Sequence, residues 1–144
     1  WSYKYARRQW SLAEPDYLRY KNLRNFDKAM ISLERKESFL DEKPELLVQD
    51  EEKKILIFKR KSCIFALNFN PVSSFTDYGF AAPAGKWECV LNTDESEFDG
   101  FSRLKTGEEH FSVPEKSPNG NGKYDSTLYL YLPCRCAVVL KKID

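Results

Sequence analysis

The sequence predicts a mainly-β protein, an antiparallel sandwich preceded by helices. Two observations carry this. Before residue 40 apolar side chains recur at spacings of three and four, and after it come short β-prone runs separated by turn residues. A length of 144 residues with a hydrophobic fraction of 42% and an aromatic fraction of 15% also suffices for one core, since a chain of this size buries roughly two thirds of its unfolded surface.

Taken in order, Ser2 to about Arg8 suits a short helical turn with Ser2 as its N-cap. A longer helix is expected from Pro15 to Lys36. Proline is tolerated at the first helical position, Asp16 faces the positive end of the dipole, and Tyr20, Leu23, Phe26, Met30 and Leu33 fall on one face. That face needs a partner surface, which two helical pieces cannot give each other. Asp41-Glu42-Lys43-Pro44 breaks the pattern. Strands are expected at Leu46 to Gln49, Ile55 to Arg60, Ile64 to Asn70, Trp87 to Asn92, Leu128 to Leu132 and Ala137 to Lys141, with Phe75 to Phe80 as the least regular. Asp50 to Lys53 and Lys61-Ser62 suit hairpin turns, so sequential strands are expected to pair antiparallel. Ser117 to Asp125, with Pro118, Gly120 and Gly122, has no apolar period and is expected to be a mobile loop. There are no internal repeats.

Twenty-three Lys and Arg against 22 Asp and Glu give a net charge of +1 with both signs interspersed, which argues against nucleic acid or anionic membrane as partner. Apolar runs such as Ile55 to Phe58 are far short of the roughly 20 residues that span a bilayer. With no initiator Met and an abrupt start at Trp1-Ser2-Tyr3, the chain reads as a fragment.

Cys63, Cys89, Cys134 and Cys136 lie in or beside strand-like runs and are expected to be reduced thiols packed as small core residues. Cys134 and Cys136, one residue apart, are too close for an easy mutual bridge or a standard zinc knuckle. A disulfide framework is the alternative. With a single histidine, His110, no metal site is expected and no cofactor is implied. His110 and Ser112 could be imagined as half of a hydrolase pair, but no nucleophile elbow accompanies them. Asp94 to Asp99 is acidic without the spacing of a calcium loop, so a solvated turn is expected. Trp10, Trp87 and Tyr78 are the candidate faces for stacking a sugar ring. The alternative for such residues is core, and Trp87 opens a strand whose inward face would also take Cys89 and Leu91.

Several strings carry a family resemblance. Ser2-Tyr3-Lys4-Tyr5-Ala6-Arg7-Arg8-Gln9-Trp10-Ser11-Leu12, Leu18-Arg19-Tyr20-Lys21 and Asn25-Phe26-Asp27-Lys28-Ala29-Met30 resemble the segment that closes the catalytic barrel of 1,4-alpha-glucan branching enzymes. Phe65 to Pro71, Ser74 to Tyr78, Pro83 to Trp87, Val90 to Asp94, Phe98 to Leu104 and Leu132 to Ala137 follow in the family's order. Asp99 departs from the pattern by standing where glycine is usual, Lys105 by standing where aspartate is usual, and Ser117 to Asp125 is individual.

The resemblance implies residues 1–40 as the C-terminal helical segment of a (β/α)8 catalytic barrel and residues 41–144 as an all-β sandwich of the alpha-amylase C-terminal type. It implies a cytoplasmic parent enzyme that cuts an alpha-1,4 glucan and re-forms it as an alpha-1,6 branch with retention, which needs two carboxylates about 5–5.5 Å apart. Those catalytic acids belong to earlier barrel strands, so no catalytic residue is expected in this chain. The expected partners are an alpha-glucan through the parent enzyme, the rest of the barrel in cis, and a second copy through the uncovered helix. An auxiliary glucan-binding β module and an interaction protein unrelated to sugars are the other readings.

Overall fold

Runs rich in Ile, Val, Leu and aromatic residues pack well on a pleated surface, and each such run in the chain becomes a strand. The computed structural model describes residues 10–117 and 119–144. The strands are β1 (Glu45–Asp50), β2 (Ile55–Arg60), β3 (Cys63–Asn68), β4 (Phe75–Ala81), β5 (Lys86–Asn92), β6 (Glu109–Phe111), β7 (Thr127–Leu132) and β8 (Cys136–Lys142). All seven expected strands form. The eighth, β6, has only three residues, Glu-His-Phe, too few for a period. It exists because it pairs with β5, Lys86 opposite Phe111. The expected turn at Ser2 to Arg8 lies outside the described residues.

Hairpins join β1 to β2 and β2 to β3, the latter through Lys61-Ser62 with Lys61 at φ 52°. Beyond them the expectation that neighbours in sequence pair is only partly met. The order is β1-β2-β3-β8-β5-β6 in one sheet and β4-β7 in the other, all antiparallel. The crossover out of β3 is fixed by Asn68, a buried residue. Its Nδ2 donates to the carbonyls of Ser73 and Leu132, both at 3.0 Å, and its Oδ1 accepts from Asn70 N–H at 2.9 Å.

Alternation along each strand sends one set of side chains between the two sheets. Ile55, Ile57, Ile64, Ala66, Trp87, Cys89, Val138 and Leu140 from the large sheet meet Tyr78, Phe80, Leu128, Leu130 and Leu132 from the small one. Cys63, Phe65 and Val139 point the opposite way, onto the outer face. Leu91 was expected inward with Trp87 and Cys89. Instead the register shifts between Cys89 and Leu91, and this bulge turns Leu91 outward to join Cys63 and Val139.

That outer face receives the helix. α1 spans Tyr20–Glu37, starting five residues later than expected. Pro15 closes a turn instead, its carbonyl accepting from Leu18 N–H at 3.2 Å, and Arg19 caps the helix without a side-chain bond. α1 ends at Ser38, which is left-handed at φ 50°, with its N–H on Glu34 O. Phe26, Ala29 and Leu33 pack against Phe39, Cys63, Leu91 and Val139. The single apolar face inferred from sequence is therefore two. At about 100° per residue, Tyr20 and Leu23 turn away from the sheet and are 55% and 58% exposed.

Residues 117 and 119–125 contain no strand or helix but are tied down rather than free. Asn119 Nδ2 donates to Gly79 O at 3.0 Å, Asn121 Nδ2 to Leu46 O at 2.8 Å, and Lys123 Nζ to Glu45 at 2.7 Å. Among the described residues no helix is long and apolar enough to cross a membrane.

Candidate functional site

The three expected sugar-stacking residues do not come together. Trp87 is 0% exposed between the sheets, its Nε1–H donating to Pro83 O at 3.3 Å. Tyr78 is 4% exposed, its hydroxyl donating to Asp50 Oδ2 at 3.0 Å, and burial, reinforced by Asp50, pushes its phenol up. Neither has a ring face for a ligand, and both are corrected to core residues, because strand alternation carries them inward. Trp10 begins a short 3₁₀ turn, Trp10–Ala13, and its side chain lies outside the described residues.

Of the two catalytic candidates, Ser112 resolves as a structural group. Ser112 Oγ accepts from Gly85 N–H at 2.8 Å and donates to Gly85 O at 3.3 Å, which brackets the start of β5. His110 is half-buried, and burial holds its imidazole below the ordinary value. Within Asp94–Asp99, Asp94 is held by Arg103, Glu95 by Asn92 and Thr106, and Asp99 by Arg19 at 3.0 Å. Asp99 is left-handed at φ 70°, the conformation in which glycine is least strained and aspartate tolerated. Among the described residues no cluster of His, Cys, Asp or Glu could hold a metal, and no buried side-chain polar atom lacks a partner.

Asp94 and Arg103 organise this end of the sandwich. Asp94, almost fully buried, accepts from Arg103 N–H at 2.6 Å, from Nη2 at 2.7 Å and from Nε at 3.2 Å. Burial works to raise the Asp94 carboxyl, but the Arg103 bonds, with the N–H of Phe101, outweigh it and hold the carboxyl below the ordinary range. A Cβ on Gly100 would collide with the Asp94 backbone, so the loop closes this tightly only with glycine there. The sequence offered no long-range signal for the pair; the Val90 to Asp94 and Phe98 to Leu104 strings marked both halves of it.

Of the open surfaces among the described residues, two bear on function. On the outward side of α1, a groove of about 550 Å³ is lined by Leu12, Tyr20, Leu23, Ile31 and charged neighbours including Arg24 and Arg35. α1 presents it rigidly, because its other side is anchored at both ends. Arg19 pairs with Asp99, Phe26 packs edge-on against Phe98 at 5.4 Å, and Lys141 Nζ donates to Glu37 Oε1 at 2.7 Å. The second is a cleft of about 300 Å³ between β6 and β7, lined by His110, Tyr129, Tyr131, Asp77, Glu108 and Arg103 among others. The two tyrosines were legible in the alternation Leu128-Tyr129-Leu130-Tyr131-Leu132. Their pairing with His110 was not, since β6 has no period of its own.

A two-sheet antiparallel sandwich with a helix on one outer face defines an all-β domain. Residues 46–143 match the family described as alpha amylase, C-terminal all-beta domain. The chain belongs to that family. It is also similar to proteins named 1,4-alpha-glucan-branching enzyme: 40% identical over 99% of this chain to that of Felis catus, 37% over 96% to that of Saccharomyces cerevisiae, and 34% over 99% to that of Solanum tuberosum. The chain spans only about a fifth of the length of these relatives, 20%, 20% and 17%.

Proposed function

We propose that this chain is the C-terminal part of a 1,4-alpha-glucan branching enzyme, and that its own role is to buttress the catalytic barrel without taking part in the chemistry. The observation that supports this most is the outward face of α1. A helix already packed on the sandwich through Phe26, Ala29 and Leu33 carries a second apolar stripe, Tyr20, Leu23 and Ile31, for which the described residues offer no cover. In this reading residues 1–40 belong to the barrel and residues 41–144 form the β domain. The stripe is the surface on which the rest of the barrel sits, and the parent enzyme transfers alpha-1,4 glucan chains to 6-hydroxyls. Four unpaired cysteines, three of them buried, fit a reducing, cytoplasmic setting.

The test has two arms. The chain expressed alone is expected to leave the iodine stain of amylose unchanged; measurable branching would overturn the reading. In the complete enzyme, Leu23→Glu with Ile31→Glu is expected to lower activity and thermal stability together, and an unchanged enzyme would remove the buttress role. Freed from the barrel, the same stripe is expected to drive weak self-association.

A second reading is favoured by the β6–β7 cleft, where Tyr129 is 42% exposed beside Asp77 and Glu108. Ring faces next to carboxylates suit a sugar, which would make the β domain an auxiliary glucan-binding surface. Affinity electrophoresis in glycogen, with Tyr129→Ala and Trp10→Ala alongside, distinguishes the sites. Retardation lost in the first variant assigns the cleft, and loss in the second assigns Trp10.

A further inference from the structure

The turn between β7 and β8 aims two thiols at one cation. Arg103 Nη1–H donates toward Cys134 Sγ at 3.8 Å and Nη2–H toward Cys136 Sγ at 3.3 Å, so both sulfurs stand against the same planar fork. In an extended strand, residues two positions apart are spaced by about 6.6 Å, which resists a bridge. Here Arg135 between them is left-handed at φ 57°, and the strand geometry is broken at that point.

The two cysteines differ in the properties that govern oxidation. Cys134 is partly exposed, and the Arg103 bond, aided by Ser74, holds its thiol below the ordinary value. Cys136 is buried, and burial pushes its thiol up to about 11. A partly exposed, cation-stabilised sulfur that shares one guanidinium with a second thiol suits a peroxide-sensitive pair. Cys63 and Cys89 are 0% and 2% exposed and serve as internal controls.

We propose that Cys134 and Cys136 form a peroxide-responsive dithiol, with Cys134 the attacking sulfur and Cys136 the resolving one. The Cys134 thiolate attacks one oxygen of a hydroperoxide. The O–O bond breaks, the departing oxygen takes up the proton released by the thiol, and Cys134 is left as a sulfenic acid. Cys136 sulfur then attacks the Cys134 sulfur, the S–O bond breaks, and the displaced hydroxide leaves as water with the Cys136 proton. Two thiols and one hydroperoxide thus give one disulfide, one alcohol (water when the oxidant is hydrogen peroxide) and one water, the peroxide accepting two electrons. The disulfide takes both sulfurs away from Arg103, so the oxidation state bears on the loop that Arg103 and Asp94 hold closed.

Dilute chain is exposed to one equivalent of hydrogen peroxide, digested with trypsin without reductant, and weighed. Cleavage after Arg135 separates the two cysteines, so the expected result is two peptides joined by a disulfide and lighter by two hydrogens than their sum. Cys136→Ser is expected to stop at a sulfenic acid trapped by dimedone on Cys134, and Cys134→Ser to abolish that label. Arg103→Lys is expected to slow the loss of free thiol. Dimedone on Cys63 or Cys89 ahead of Cys134, disulfide dimers in place of joined peptides, or a Cys136→Ser variant whose Cys134 reacts no faster than the buried thiols would each overturn the proposal.

Discussion

Lys141 on β8 donates to the buried carboxylate of Glu37, 104 residues earlier, at 2.7 Å, and this bond joins the last turn of α1 to the centre of the large sheet. It decides whether the helix is part of the sandwich or a loose extension. Lys141→Met leaves the Glu37 carboxylate in place without its donor, and losing a hydrogen bond to a charged group costs about 1.5–3 kcal/mol. Urea unfolding at neutral pH is expected to show that loss. Equal midpoints for variant and parent would mean the helix is held by Phe26 and Leu33 alone.

Asp94 makes stability depend on acidity. Because its folded pKa lies below the ordinary 3.8, the unfolded chain binds the proton more readily. The stabilisation is complete above about 3.8 and is lost as pH falls through the lower folded value. Asp94→Asn is expected to cost about 3 kcal/mol at neutral pH by leaving Arg103 without its charge partner. It is also expected to flatten the acid limb of the stability profile. Glu45 and Asp50, where burial is likewise outweighed by hydrogen bonds from Lys123 and Tyr124 and from Lys53 and Tyr78, keep a residual slope. An acid limb as steep in the variant as in the parent would show that Asp94 is not its source.

Trp87 separates a core role from a ligand role. Trp87→Ala is expected to lower stability by about 3–5 kcal/mol, the usual cost of truncating a buried aromatic. Trp87→Phe fills most of the space and is expected to leave migration through glycogen gels as it was. A Phe variant that folds normally yet loses retardation would return Trp87 to the surface.

The outward stripe of α1 is expected to behave in the opposite way. In the isolated chain, Leu23→Glu with Ile31→Glu alters side chains 58% and 49% exposed. Stability is therefore expected to stay within about 0.5 kcal/mol per site, while the concentration dependence of the sedimentation coefficient disappears. Association that persists in the double variant would assign it to another surface.

The strands were legible because each depends on local composition: Ile55 to Arg60 needs only its own β-branched and aromatic residues to prefer an extended chain. The partners were not. β8 lies between β3 and β5, and β4 pairs with β7 across roughly fifty residues, contacts that no local pattern encodes. Leu91 shows the same limit at one residue. Its alternation says inward, but the bulge after Cys89 forms only against β8 and reverses it. Among site residues, the three aromatics chosen by ring chemistry included two that the fold buries. Arg103 lies in one string and Cys134 and Cys136 in another, and closing the sandwich is what brings them together.

Sequence alone determined the β-rich class, the helix, the absence of basic clustering, and, through its ordered strings, the family. Those properties follow from which residues stand next to one another and what backbone they favour. Tertiary structure decided which face of α1 is covered, which tryptophan is sealed in the core, and which two thiols share the Arg103 guanidinium. Each of these depends on burial and on contacts between residues distant in sequence, where the free energy belongs to the packed pair and to neither residue alone.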